Sequence, residues 1–236
     1  MPTVLLVRHG RTTANTSGVL AGWTPGIGLD ETGREQVQRL GDHLAGLPIV
    51  RVVSSPLQRC QETAAAILAA RDGGEVVTDD RLGECRYGGW TGGKISDLTK
   101  DPLWRTVQDH PSAVTFPPSD TFEHESLREM SARAVAAVRD TDAAIGAEHG
   151  ERALWVAVSH GDVIKAVLAD ALGTGLDAFQ RIVAGPASVS VVQYTARRPF
   201  VLRLNDNLGQ LRDLVTAPPA SGDATPGGVT GNDAED

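Results

Sequence analysis

Two stretches decide the fold: VLLVRHG at residues 4–10 and WVAVSHG at residues 155–161. Each is an apolar run that ends in a histidine followed by a glycine. Apolar runs without polar alternation are expected of strands covered on both faces, as in a parallel sheet flanked by helices. The carboxyl ends of such strands form one edge of the sheet, and open α/β proteins bind ligands there. At that edge Arg8 would bring a fixed fork of donors, and His9 an imidazole that is neutral, and so nucleophilic, near pH 7. This pairing reads as a phosphate site. Taken as a tripeptide, Arg8-His9-Gly10 is equally a basic loop ending a strand.

Between and beyond these strands the pattern alternates. A helix is expected from about Asp30 to Leu44, where Val37, Leu40 and Leu44 recur at helical spacing and Asp30 or Thr32 can cap the start. Ile49–Val53 reads as a further buried strand ending in Ser54-Ser55-Pro56. Pro56 is placed to open a helix carrying Arg59 through Ala70. A short strand over Glu75–Thr78 comes next, then an irregular stretch from Tyr87 to about Pro118 with small helical pieces around Ile95–Leu98 and Leu103–Val107. A long helix is then expected from Ser126 to about Glu148, with Leu127, Met130, Ala134, Val138 and Ile145 inward. After the strand Ala153–Val158 come a helix through Val163–Leu172 and two strands, Ser188–Tyr194 and Phe200–Leu204. Strands alternating with helices predict an α/β sandwich around a mostly parallel sheet.

The 236 residues are 41% hydrophobic and 22% charged, ordinary for one sizeable globular core. We expect a single domain over 1–215 and an acidic, disordered tail over 216–236, where Pro, Gly, Ala and Asp leave little to pack. A net charge of −8 argues against a nucleic-acid partner, while arginines near the motifs suit a small anionic substrate. No stretch has the apolar length of a membrane span. Met1-Pro2 leads into a strand with no basic-then-apolar leader, so a cytoplasmic location is expected. Cys60 and Cys85 show neither metal nor redox spacing.

Arg8-His9-Gly10 with its spacing to Asn15, Ser55-Pro56-Leu57-x-Arg59, Leu82-x-Glu84 and Ser159-His160-Gly161 together resemble the histidine phosphatase superfamily, in its phosphoglycerate mutase-like branch. The resemblance runs from about Val4 to Leu204. It implies a three-layer α/β/α sandwich whose mixed, mostly parallel sheet has one antiparallel strand. It also implies that His9 is phosphorylated during turnover. Arg8, Arg59, His160 and Asn15 would hold the phosphoryl oxygens, and Glu84 would be the proton donor. These residue types suit the chemistry, because phosphoryl transfer is catalysed by positioning and by stabilising charge spread over the equatorial oxygens. Gly161 would add backbone N–H groups at a helix start. Read alone, Glu84 is equally a surface carboxylate paired with Arg81 or Arg86. His43, His110, His124 and His149 read as solvated.

The sequence departs from the mutases of this family at Cys85 and Arg86, where they carry Arg and His after the glutamate, and Ala14 precedes Asn15 where many relatives have Trp. A metal-independent phosphomonoesterase acting on a small phosphorylated metabolite, without cofactor, is therefore expected first and a phosphoglycerate mutase second. Gly88-Gly89-Trp90-Thr91-Gly92-Gly93-Lys94-Ile95 nearly spells a P-loop, but Ile95 stands where Ser or Thr would hold magnesium. An NTPase is thus the weaker reading. A non-catalytic phospholigand-binding module would have no use for Glu84.

Overall fold

The computed structural model describes residues 2–71, 74–209 and 223–228. Strands β1 (Thr3–Arg8), β2 (Ile49–Ser54), β3 (Val76–Thr78), β4 (Leu154–Ser159), β5 (Val189–Gln193) and β6 (Phe200–Asp206) form one sheet in the order β3-β2-β4-β1-β5-β6. β1, β2, β3 and β4 run parallel, while β5 is antiparallel to both β1 and β6. β5 is therefore the single reversed strand, as expected.

Side-chain alternation along the central strands builds two cores. Val4 and Leu6 of β1, with Trp155 and Ala157 of β4, face the layer of α6 (Leu127–His149) and α7 (Gly161–Leu172). Leu5 and Val7, with Val156 and Val158, face α2 (Glu31–Leu44) and α3 (Gln58–Ala69). Both faces of the middle strands are thus covered, which is why their sequences are continuously apolar. Trp155 Nε1 donates to Asp142 Oδ1 at 3.0 Å, satisfying both buried polar groups where β4 meets α6.

Local signals set the helix starts. Asp30 caps α2 by accepting from the Gly33 N–H at 2.7 Å, and its second carboxylate oxygen pairs with Arg11 Nε at 2.9 Å. Gly33 is required here, because a Cβ would stand 2.0 Å from the Arg11 carbonyl oxygen. Ser126 and Glu129 form a capping box at the start of α6. Pro56 does not open α3: Leu57 is its extended N-cap, and the helix begins at Gln58. The Leu57 N–H donates to Ser55 Oγ at 3.3 Å, holding a turn between strand and helix.

The irregular region contains α4 (Ile95–Leu98) and α5 (Leu103–Asp109), and a four-residue helix α1 (Thr13–Thr16), not foreseen, follows β1. Gly88–Trp90 is a short 3-10 turn rather than a strand-to-helix phosphate loop. Of the tail expected to lack order, 216–222 and 229–236 lie outside the described residues. Asp223–Gly228 is described, and it runs along α5 into the edge of the sheet bearing the two histidines.

Candidate active site

β2, β4 and β1 are adjacent and parallel, so their carboxyl ends deliver Ser55, His160 and His9 to one edge. Ladder-like hydrogen bonds continue just past the strands. The His9 N–H donates to the Ser159 carbonyl at 3.0 Å, and the Ser55 N–H to the Val158 carbonyl at 2.9 Å. The two histidine rings meet edge to face with centroids 5.3 Å apart.

His9 Nδ1 lies 2.7 Å from the Gly10 carbonyl oxygen, which can only accept, so this nitrogen carries the proton. Nε2 is left with a free lone pair, and Arg59 Nε donates to it at 3.3 Å. Burial, reinforced by the charges of Arg59 and Arg8, holds the His9 pKa well below 6.5. The imidazole is therefore neutral across the physiological range, as a nitrogen nucleophile must be.

Arg59, on the first turn of α3, is fixed by donation from Nη2 to the Gly22 carbonyl at 2.9 Å. Arg8 is fully buried at the end of β1, and Nη1 donates to the Ala184 carbonyl at 2.7 Å. Desolvation lowers its pKa to about 10, against the opposing charges of Glu84 and Asp162, so it remains a cation at neutral pH. His160 is held neutral by burial and by the neighbouring arginine. Its Nε2 lies 2.8 Å from Ser55 Oγ, and its Nδ1 lies 3.7 Å from Glu84 Oε2.

Glu84 does not pair with Arg81 or Arg86. Arg81 binds Asp79 and Asp140, and Arg86 binds Glu123. Instead Glu84 is buried at the cavity, with Oε1 accepting from the Cys85 N–H at 3.0 Å. Burial, and next the charge of Asp162, raise its pKa to about 7, although Arg59 and Arg8 oppose the shift. A carboxyl group so placed exchanges a proton readily near neutral pH.

His9, Asn15, Arg59 and Glu84 line one small cavity of about 30 Å³. Asn15 Oδ1 is engaged by the Thr12 N–H at 3.0 Å and Oγ1 at 2.9 Å, which leaves its amide NH₂ as the donor. Gly161 starts α7 directly behind His160. All seven residues singled out in the sequence thus gather at one place, while His43, His110, His124 and His149 are exposed.

The structure adds residues that sequence reasoning missed. Trp23 Nε1 donates to the Glu84 carbonyl at 2.7 Å. Arg133 donates to the carbonyls of Arg81, Gly83 and Glu84 at 2.7–2.9 Å while pairing with Glu125. Together they clamp the loop that presents Glu84. Asp162 accepts from Tyr87 Oη at 2.9 Å and Lys165 Nζ at 3.0 Å, forming a buried network behind the carboxylate. The Cys60 thiol, its pKa pushed up to about 12 by burial, lies 3.4 Å from His160 Nε2 and is not a nucleophile.

Residues 4–207 match the family described as histidine phosphatase superfamily (branch 1). The chain is 34% identical over 214 residues to the bifunctional protein Rv2228c of Mycobacterium tuberculosis, covering 88% of this chain and 54% of that protein. It therefore spans about half the length of that curated relative. Phosphoserine phosphatase 1 of Hydrogenobacter thermophilus is 29% identical, covering 87% of this chain and 92% of its own. A 2,3-bisphosphoglycerate-dependent phosphoglycerate mutase of Thermoplasma acidophilum is 27% identical, covering 86% and 92%. Among solved structures, Bacillus stearothermophilus YhfR superposes with a TM-score of 0.75 at 26% identity, covering 87% of this chain and 98% of that one.

Proposed function

The chain belongs to the histidine phosphatase superfamily, and we propose that it is a phosphomonoesterase working through a phosphohistidine on His9. The observation that carries this reading is the convergence of His9, Arg59 and Glu84 on one cavity, with Arg8 and His160 packed against it. His9 Nε2 attacks phosphorus, and the bond from phosphorus to the leaving oxygen breaks. Glu84 gives its proton to that oxygen. The carboxylate then takes a proton from water as the water attacks phosphorus, and the bond to nitrogen breaks. Arg8, Arg59, His160, Asn15 and the Gly161 N–H hold the equatorial oxygens as charge spreads over them.

Hydrolysis is favoured over mutase chemistry by the two residues after Glu84. Cys85 is fully buried, and Arg86 pairs with Glu123 and stacks over Trp23 at 5.3 Å. Neither offers a further cation to a phosphorylated intermediate held for return transfer. We take residues 1–215 as the catalytic domain, a small phosphorylated metabolite as the substrate and the cytoplasm as the location. The location is supported by two buried free thiols, and among the described residues no helix is long and apolar enough to cross a membrane. The test is phosphate release from a panel of phosphomonoesters with chelator present. Turnover that persists with chelator and vanishes in His9→Ala is expected. Isomerisation of 3-phosphoglycerate outrunning phosphate release would replace the phosphatase reading with the mutase one.

A further inference from the structure

Pro226, Gly227 and Gly228 line the same cavity as His9 and Glu84, although they lie more than sixty positions beyond the last catalytic residue in sequence. The segment is anchored at both ends. At its start the Asp223 carboxylate pairs with Arg105 and accepts from Trp104 Nε1 at 3.0 Å. Gln108 then exchanges two hydrogen bonds with the Ala224 main chain, both 2.8 Å. At its far end the Gly228 N–H closes a turn on the Thr225 carbonyl at 2.8 Å, and the Gly227 N–H donates to Asp162 Oδ2 at 2.9 Å.

The fit at the site depends on glycine. Gly227 and Gly228 have φ of +79° and +90°, which side chains disfavour. A Cβ on Gly228 would stand 2.8 Å from Arg8 Nη1, and one on Gly161 would stand 2.4 Å from the Gly227 carbonyl oxygen. A Cβ on Gly227 would sit 3.7 Å from Glu84 Oε2. The turn thus lies directly against Arg8, Glu84 and the start of α7, three of the groups that would surround a bound phosphoryl group. The space left beside His9 is small, about 30 Å³, with Pro226, Gly227 and Gly228 among the residues that bound it.

We propose that Asp223–Gly228 is an internal strap whose Gly227-Gly228 turn occupies the phosphoryl position, so that substrate enters only when the strap withdraws. The inference rests on the phosphoryl-site reading of the cavity. The strap competes with the substrate for Arg8 and for the N-terminus of α7, and Asp162 is its latch. The apparent affinity for any phosphoryl ligand is then reduced by the fraction of molecules with the strap withdrawn.

The test is calorimetric binding of inorganic phosphate to the full chain and to two full-length variants that release opposite ends of the strap. Gly228→Val forces a branched side chain into a positive-φ position against Arg8. Asp223→Lys replaces an ion pair with repulsion from Arg105. With a withdrawn form populated at ~10%, both variants should bind phosphate about tenfold tighter than the wild type. Unchanged or weaker binding in either variant overturns the strap, while phosphate binding by the wild type keeps the phosphoryl-site reading. Failure of all three chains to bind phosphate overturns both.

Discussion

Arg59 Nε donates at 3.3 Å to His9 Nε2, the nitrogen that the neighbouring Gly10 carbonyl leaves unprotonated. The guanidinium therefore sits on the lone pair that would attack phosphorus in the proposed mechanism. An incoming phosphoryl group resolves the conflict by offering its oxygens to the arginine and its phosphorus to the histidine. Arg59→Lys keeps the charge but loses the fork that reaches both His9 and the Gly22 carbonyl. The expected loss is ~10²-fold in kcat/KM, the scale of removing one preorganised donor. Steady-state kinetics on p-nitrophenyl phosphate measure it, and a loss below threefold would remove Arg59 from the site.

The pH profile reflects two shifts of opposite sense. His9 is neutral down to well below pH 6.5, so the nucleophile stays competent on mild acidification. As the proposed general acid, Glu84 would have to be protonated to release an alkoxide, and its pKa is about 7. For an alkyl phosphate, kcat/KM should thus drop about twofold between pH 6 and 7 and fall about tenfold per unit well above pH 7. A profile flat to pH 9 would take the general-acid role from Glu84.

The fold and the site were legible in the sequence to different depths. The two runs ending at His9 and His160 are continuously apolar because β1 and β4 are covered on both faces, so the sequence states the burial directly. Parallel pairing then forces their ends together. Trp23 and Arg133 left no such trace. Their partners are backbone carbonyls 61 and 49 residues away, and no side-chain pattern marks a carbonyl. Asp223–Gly228 escapes a reading by composition for a related reason. Its apolar side chains are only Ala224 and the buried Pro226, yet it is held by hydrogen bonds and by close approaches that only glycine allows.

Glu84→Gln keeps the shape and removes the proton. Departure of an alkoxide needs that proton, whereas p-nitrophenolate leaves without it. In single turnover the variant should slow alkyl phosphates by ~10²–10⁴-fold and p-nitrophenyl phosphate far less. Equal slowing of both would make the role structural. The same substitution should stabilise the fold. Glu84's folded pKa lies above its ordinary 4.5, so its contribution is fully present below pH 4.5 and is lost as pH rises through about 7. Urea unfolding at pH 8 should therefore show Glu84→Gln more stable than wild type by ~2–3 kcal/mol, with the gain shrinking toward pH 5.

Asp162 acts on Glu84 through its charge, from a network with Tyr87 and Lys165. Asp162→Asn removes that charge, so the Glu84 pKa falls toward 4.5 and the alkaline limb of kcat/KM moves to lower pH. A limb that stays in place while the overall rate drops would assign Asp162 to packing alone.

The most direct test of the phosphohistidine mechanism is chemical capture of the intermediate on His9. Rapid acid-free quenching of a reaction with ³²P-labelled substrate should leave label on the protein that survives base and is lost in acid, as a phosphoramidate does. Peptide mapping should place the label on His9, and His9→Ala should abolish both label and turnover. Near wild-type turnover by His9→Ala, or label on any other residue, would contradict it.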